Sequence, residues 1–189
     1  MKIIGLTGGI GSGKSSIAKV LIELGYAVYN SDLAAKKAYD SPAIVDQVMA
    51  KFGTEVFDSK QQIQFKSLAQ LVFSDPTKLA ALNEIIHPFV KKDFEAWVAQ
   101  QKGKLVFKEA AILFESRANL FCDAVISVTA DEKIRAARIQ KRDAATLQEI
   151  KTRMNRQLTD NERNKLADYV INNESELVIP QLLKVLELL

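Results

Sequence analysis

A glycine-rich stretch near the amino terminus, Gly8-Gly9-Ile10-Gly11-Ser12-Gly13-Lys14-Ser15, constrains this chain more than any other feature. Its order of Gly, four residues, Gly, Lys and Ser is the phosphate-loop pattern. The flanks agree with it. Lys2-Ile3-Ile4-Gly5-Leu6-Thr7 reads as a short buried strand, and Ile17, Val20, Leu21 and Leu24 fall on one face of a following helix that Gly25 stops. A loop that joins a strand to a helix N-terminus presents backbone N–H groups and the positive end of the helix dipole to an anion. The four glycines allow positive φ and leave no Cβ between backbone and phosphate. Lys14 is expected to reach the β- and γ-phosphates, and the Ser15 hydroxyl to complete a Mg²⁺ shell. An ordinary glycine-rich turn requires neither the strand before nor the amphipathic helix after. The sequence therefore predicts a nucleoside triphosphate binder, with Gly8, Gly11, Ser12, Gly13, Lys14, Ser15 and Ser16 around the phosphates.

Beyond the first helix, Tyr26-Ala27-Val28-Tyr29 is a second short strand that runs into Asn30-Ser31-Asp32. A mostly helical region follows. The helical period appears from Leu33 to Tyr39, from Ala43 to Phe52, and in two segments broken near Ser74-Asp75-Pro76, the last passing His87-Pro88 to about Gln101. The period then changes. Leu105-Val106-Phe107 and Val125-Ile126-Ser127-Val128 are β-rich runs typical of interior parallel strands. Asp131 precedes a helix from Glu132 to about Arg142, a polar arginine-bearing stretch reaches about Arg163, and Asp168-Tyr169-Val170-Ile171 is a last strand. A final helix spans Leu177 to Leu189, with Pro180 either in its first turn or at a kink. This order predicts an α/β chain: a three-layer αβα sandwich with a parallel sheet. Its core would comprise about 1–32, 103–140 and 164–189, with a helical insertion at about 33–101 and the polar stretch at about 141–163.

Composition removes several classes. At 189 residues, 48% hydrophobic and 26% charged, the chain suits one globular domain with insertions. A formal net charge of +3 suits a phosphorylated small substrate as well as nucleic acid, and no dense basic tract supports the latter. The single Cys122 excludes an internal disulfide, and with a single histidine it argues against a zinc site. No apolar run approaches the ~18 residues of a membrane span and no secretory signal pattern is seen, so a cytoplasmic protein is expected.

In open α/β sheets ligands bind beyond the carboxyl ends of the strands, which selects the candidates for chemistry. Asp32 lies just past the second strand, where a carboxylate can accept the proton of an attacking hydroxyl or hold Mg²⁺ through water. Asp also serves as a helix N-cap, and the two roles are compatible. Glu109 ends the third strand, either facing a metal or as a solvated loop carboxylate. Arg135, Arg138 and Arg142 share a helix face, with Arg153 and Arg156 beyond. Guanidinium groups closing over phosphates stabilise transition-state charge. Arg142 is favoured because it opens the polar stretch, and Arg138 is second. His87, flanked by Ile85, Ile86 and Phe89, reads as a structural hydrogen-bonding group, and Phe89, Phe94 and Trp97 as core.

With those residues laid out, the chain resembles the dephospho-coenzyme A kinases over nearly its whole length. Thr7 to Ser15 is the opening typical of that family, and Ser31-Asp32 matches its aspartate, assigned there as the base acting on the ribose 3′-hydroxyl. Leu82-Asn83-Glu84-Ile85-Ile86-His87-Pro88 is similar to its substrate-binding helix, and Glu109 to Glu115 to its acidic segment. Arg138 to Asp143 and Arg153-Met154 match its lid, and Asp168 to Asn173 its last strand, which brings Asn173 near the adenine. Four positions depart from the pattern: Glu109 stands for the usual Asp, Ala111 for Pro, Lys36 for Arg, and Phe65 where an arginine is common.

The resemblance implies a fold of the phosphate-loop kinase type, with about 33–101 as a substrate-binding insertion and about 141–163 as a lid. It also implies γ-phosphoryl transfer from ATP, with Mg²⁺, to the ribose 3′-hydroxyl of dephospho-coenzyme A, the last step of coenzyme A synthesis. Asp32, Lys14 and Arg142 would be catalytic, Arg138 and Asn173 would hold ATP, and Lys36, Lys66 and His87 the substrate. Ser15 would bind the metal, with Asp32 or Glu109 reaching it through water. The alternatives are another phosphate-loop small-molecule or nucleoside monophosphate kinase, or a non-catalytic nucleotide module. The latter lacks support, since no Asn-Lys-x-Asp guanine-reading tetrapeptide is present.

Overall fold

The computed structural model of the chain describes residues 1–174 and 177–189. It divides into two compact units, residues 1–30 with 101–189, and residues 31–100. In the first unit, five strands form one parallel sheet: β1 (Lys2–Gly8), β2 (Ala27–Asn30), β3 (Leu105–Glu109), β4 (Ala124–Thr129) and β5 (Tyr169–Asn172). The spatial order is β2-β3-β1-β4-β5. Central β1 pairs with β3, Leu6 opposite Glu109, and with β4, Leu6 opposite Ile126. Ile4 through Gly9 are all buried, as expected when both faces of a parallel sheet are covered.

One face is covered by α1 (Lys14–Glu23) and α9 (Val178–Leu188). Their Ile17, Leu21, Leu182 and Val185 pack on Ile4, Leu6, Phe107, Ile126 and Ile171. Full burial of such side chains stabilises by about 1.5–3 kcal/mol each, so this layer anchors the strands whose ends build the site. Pro180 sits in the first turn of α9, where the missing N–H has no intrahelical partner to lose. On the opposite face, α8 (Asp160–Leu166) packs on β4, and Ala110, Leu113 and Val125 form a small core with Cys122. The β3–β4 crossover consists of turns and one 3₁₀ turn, Ala118–Phe121, so a close backbone approach replaces a helix there. A Cβ on Gly5 would come within 2.6 Å of Leu113 Cδ2. Burial in this cluster pushes the Cys122 thiol up to about 11. Its alkylation by iodoacetamide near pH 8 should run about a hundredfold slower in the folded protein than in the denatured chain; equal rates would show that the sulfur is not sequestered.

The polar stretch after α6 (Glu132–Asp143) is more ordered than its composition suggests. It holds α7 (Leu147–Met154) and then α8, each opened by a capping box, Thr146 with Glu149 and Thr159 with Glu162. Asp131 caps α6 by accepting from the Lys133 N–H at 2.8 Å.

The second unit consists of α2 (Ser31–Lys37), α3 (Pro42–Phe52), α4 (Phe65–Phe73) and α5 (Pro76–Val98). Ile44, Val48, Phe52, Leu68, Val72, Leu82 and Ile86 form its core, the stripes that the helical period marks. α5 opens on Pro76 with Asp75 accepting from the Thr77 N–H, and it continues through Pro88. α2 begins at Ser31, so Asp32 lies inside the first helical turn and is not an N-cap. Among the described residues no helix is long and apolar enough to cross a membrane.

Candidate active site

The carboxyl ends of β1, β2, β3 and β5 carry this site. From β1 the chain passes through α1 to β2 on one side, whereas from β3 it crosses to β4 on the other. Adjacent β1 and β3 therefore lead in opposite directions, and such a switch point is where a crevice opens in an α/β sheet.

The phosphate loop runs from Gly8 into α1. Gly11 (φ 82°) and Gly13 (φ 96°) adopt the left-handed backbone, which an L side chain resists. Gly8 and Gly9 do not use that freedom and are glycines for want of space. A Cβ on Gly8 would strike the Val128 carbonyl. No described side chain caps α1, which leaves its positive end for an anion. Ser12 is fully buried, while Ser15 and Ser16 are exposed.

Glu109 is the hub of the inner side. Lys14 Nζ donates to its Oε1 at 2.8 Å and Ser15 Oγ to the same oxygen at 3.1 Å. Asn30 Nδ2 donates to its Oε2 at 2.7 Å. Strand register produces this convergence, since Glu109 is opposite Leu6 of β1 and Asn30 of β2. The carboxylate is 3% exposed and Lys14 9%, so Glu109 is not a solvated loop residue. A buried carboxylate persists only with such donors. Sequence reasoning passed over Asn30, although the strand-end rule that selected Asp32 also points to a polar residue closing β2.

Arg138 and Asn173 form the outer side. Arg138 Nη2 donates to the Asn173 carbonyl at 2.8 Å, and its Nη1 lies 3.4 Å from the carbonyls of Gly11 and Ser12. Asn173 Nδ2 donates to the Ser12 carbonyl at 2.7 Å. Beside them opens a cavity of about 340 Å³, with Ile17, Val20, Val178 and Ile179 as apolar walls and Gly13, Ser16, Arg138 and Asn173 as its polar lining.

The three arginines of α6 meet different fates. Arg135 is buried, Arg138 reaches the loop, and Arg142 donates from Nε and Nη2 to Asp143 at 2.7 and 3.0 Å. Arg153 shares that carboxylate at 2.9 Å, and the Arg142 side chain is 63% exposed. The Asp143 hydrogen bonds raise the Arg142 guanidinium further, and Arg142 in turn holds the Asp143 carboxyl below its usual range. Thus the structure does not bring Arg142, the arginine favoured from sequence, to the loop. The cause is local: the adjacent carboxylate offers both oxygens. Arg138 stands there instead.

The remaining candidates belong to the second unit. Asp32 and Lys36 are exposed on α2, Lys66 is exposed in the first turn of α4, and His87 is half-buried in α5. Phe65, in place of a familiar arginine, is exposed and meets Tyr39 edge-on with ring centroids 5.1 Å apart. Phe94, stacked on Trp97, is buried as core.

The chain is similar over most of its length to known proteins. A family model described as dephospho-CoA kinase matches residues 2–178. A dephospho-CoA kinase from Porphyromonas gingivalis is 39% identical over 190 residues, covering 99% of this chain and 94% of that one. Another, from Fusobacterium nucleatum, is 37% identical over 175 residues, covering 93% and 91%. Among solved structures, a Thermus thermophilus protein aligns with a TM-score of 0.88 at 30% identity, over 99% of this chain and 95% of that one. A dephospho-CoA kinase from Campylobacter jejuni has the same fold, with a TM-score of 0.67 at 23% identity over 98% and 95%. The chain belongs to the dephospho-CoA kinase family.

Proposed function

We propose that this protein transfers the γ-phosphoryl group of ATP to the ribose 3′-hydroxyl of dephospho-coenzyme A, yielding coenzyme A. The observation that supports this most is the convergence of Lys14, Ser15 and Asn30 on buried Glu109, at the switch point of a chain in this kinase family. Phosphoryl transfer requires positioning and charge neutralisation more than covalent help, and the residues divide those tasks. Backbone N–H groups of the loop from Gly8 to Ser15 cradle the phosphates, and Lys14 exchanges its carboxylate partner for phosphate oxygens. The apolar walls of the cavity hold the adenine, with Arg138 and Asn173 fixing its polar side.

Mg²⁺ fits the donors present, since Ser15 Oγ and Glu109 Oε1 are hard oxygens 3.1 Å apart. This ion usually keeps several waters and takes only one or two protein ligands besides phosphate. Ser15 would hold it directly and Glu109 through water; when bound it neutralises charge on the β- and γ-phosphates. Asp32 takes the proton of the 3′-hydroxyl. Lys36, Lys66 and His87, in the insertion from about 33 to 101, hold the acceptor. Residues of about 141–163 act as a lid, with Arg142 turning from Asp143 to the transferring group. The protein would work in the cytoplasm.

An acceptor panel tests the reading. With ATP and Mg²⁺, ADP release should rise with dephospho-coenzyme A and stay near the acceptor-free rate with shikimate or nucleoside monophosphates. Turnover of one of those, and none of dephospho-coenzyme A, would end it.

A further inference from the structure

The outer limb of the phosphate loop, Gly9–Ile10, is held by a segment far along the chain. The Ile10 N–H donates to Gln157 Oε1 at 2.8 Å, and Gln157 Nε2 donates to the Ala111 carbonyl at 3.1 Å. One side-chain amide thus bridges the loop and the turn after β3. The Ile10 side chain packs beside Ile139, Ala145 and Ile150 of α6, its C-terminal turn and α7. Arg135 lies on the other side of the limb. A Cβ on Gly9 would collide with its guanidinium, and its Nη1 is 3.5 Å from the Ile10 carbonyl.

Arg135 is itself held by the same distant segment. Its Nε lies 3.4 Å from Asp160 Oδ2, and Asp160 Oδ1 accepts from Arg163 Nη1 at 2.7 Å. Arg163 is fully buried and also donates to the Leu158 carbonyl at 2.6 Å, while the Leu158 N–H donates to Glu115 at 2.9 Å. A buried guanidinium is costly unless it is paired. Asp160, placed between two of them, therefore ties α6, the α7–α8 link and the loop into one charged cluster. None of these side chains belongs to the phosphate-loop pattern.

We infer that Gln157 and Asp160 are positioning residues for nucleotide binding. They act through the Gly9–Ile10 backbone, so that the loop holds its anion-binding curvature only while the α7–α8 link is docked. Gln157 fixes the peptide plane between Gly9 and Ile10 by capturing its N–H. Asp160 fixes Arg135, the side chain that fills the space a Cβ at Gly9 would need. Phosphate affinity and the placement of the lid segment are thereby linked. The inference rests on the loop holding ATP, as proposed above, but not on the identity of the acceptor.

Calorimetric titration of the full chain with ATP and Mg²⁺, acceptor omitted, reads the effect directly. Gln157→Leu removes both hydrogen bonds at a half-buried position of similar size. It should weaken ATP binding roughly three- to tenfold, the worth of one or two such bonds, while the KM for dephospho-coenzyme A stays near the parental value and the thermal midpoint falls by only about 2–4 °C. Gln157→Met, of similar length but without either hydrogen bond, should weaken ATP binding to the same extent. Asp160→Asn keeps an acceptor oxygen but removes the carboxylate charge that both buried arginines face, and should weaken ATP binding more, with a lower thermal midpoint. Parental affinity in Gln157→Leu or Gln157→Met, or a rise in the KM for dephospho-coenzyme A equal to the loss of ATP affinity, would overturn the inference. A parent that binds no ATP would sink both this inference and the proposed function; one that binds ATP but phosphorylates nothing would sink only the latter.

Discussion

Replacing Asp32 by asparagine is expected to lower kcat by roughly 10²–10⁴-fold, the usual contribution of a positioned general base, and to leave ATP affinity nearly unchanged. Asparagine keeps the size and the hydrogen-bonding reach of the side chain but does not take a proton. Asp32 is exposed in the first turn of α2, where a carboxylate stabilises the helix dipole by about 0.3–1 kcal/mol. The variant should therefore melt close to the parent, so lost turnover reads chemistry and not unfolding. Single-turnover measurements at saturating ATP and acceptor make the check. Survival of kcat would reduce Asp32 to a helix-end charge or an outer contact to metal.

Lys14→Ala should be comparably severe for a different reason. The lysine is the buried cation of the loop, paired with Glu109 at 2.8 Å. In the proposed mechanism its loss would remove the charge that meets the β- and γ-phosphates, and one such stabilising donor is worth on the order of 10²–10³ in rate. It also leaves Glu109 with Ser15 and Asn30 alone, and removing one partner of a buried pair typically costs about 3–5 kcal/mol of stability. The two effects separate in a double variant. Lys14→Ala with Glu109→Gln relieves the uncompensated carboxylate and should regain much of the stability, while turnover stays low. Normal kinetics in Lys14→Ala would count against the whole scheme.

The contrast between those residues reflects what a sequence displays. The loop from Gly8 to Ser15 was legible because its pattern, strand and helix are contiguous, and the second unit because its helices bury regular stripes. Glu109 was only half legible. Its position at a strand end was visible, but its burial depends on Lys14, 95 residues away, and on Asn30, 79 away. The arginines of α6 show the same limit. Helical spacing puts Arg135, Arg138 and Arg142 on one face, yet Arg135 and Arg138 both lie against the loop while the adjacent Asp143 holds Arg142 away from it. Arg163 was invisible for that reason, being a charge that is buried because distant Glu115 and nearby Asp160 surround it. By contrast, the helices α7 and α8 were readable from the repeated Thr-x-x-Glu signature at 146–149 and 159–162, which the polar composition of the stretch obscured.

The central claim is a phosphoryl transfer to one hydroxyl, and identification of the product tests it most directly. The purified protein, ATP, Mg²⁺ and dephospho-coenzyme A should yield a species one phosphoryl group heavier that serves as coenzyme A in an acyl-transfer assay, and a 3′-deoxy acceptor analogue should yield none. Phosphorylation of the 3′-deoxy analogue, or ATP hydrolysis that dephospho-coenzyme A neither stimulates nor captures, would contradict the account.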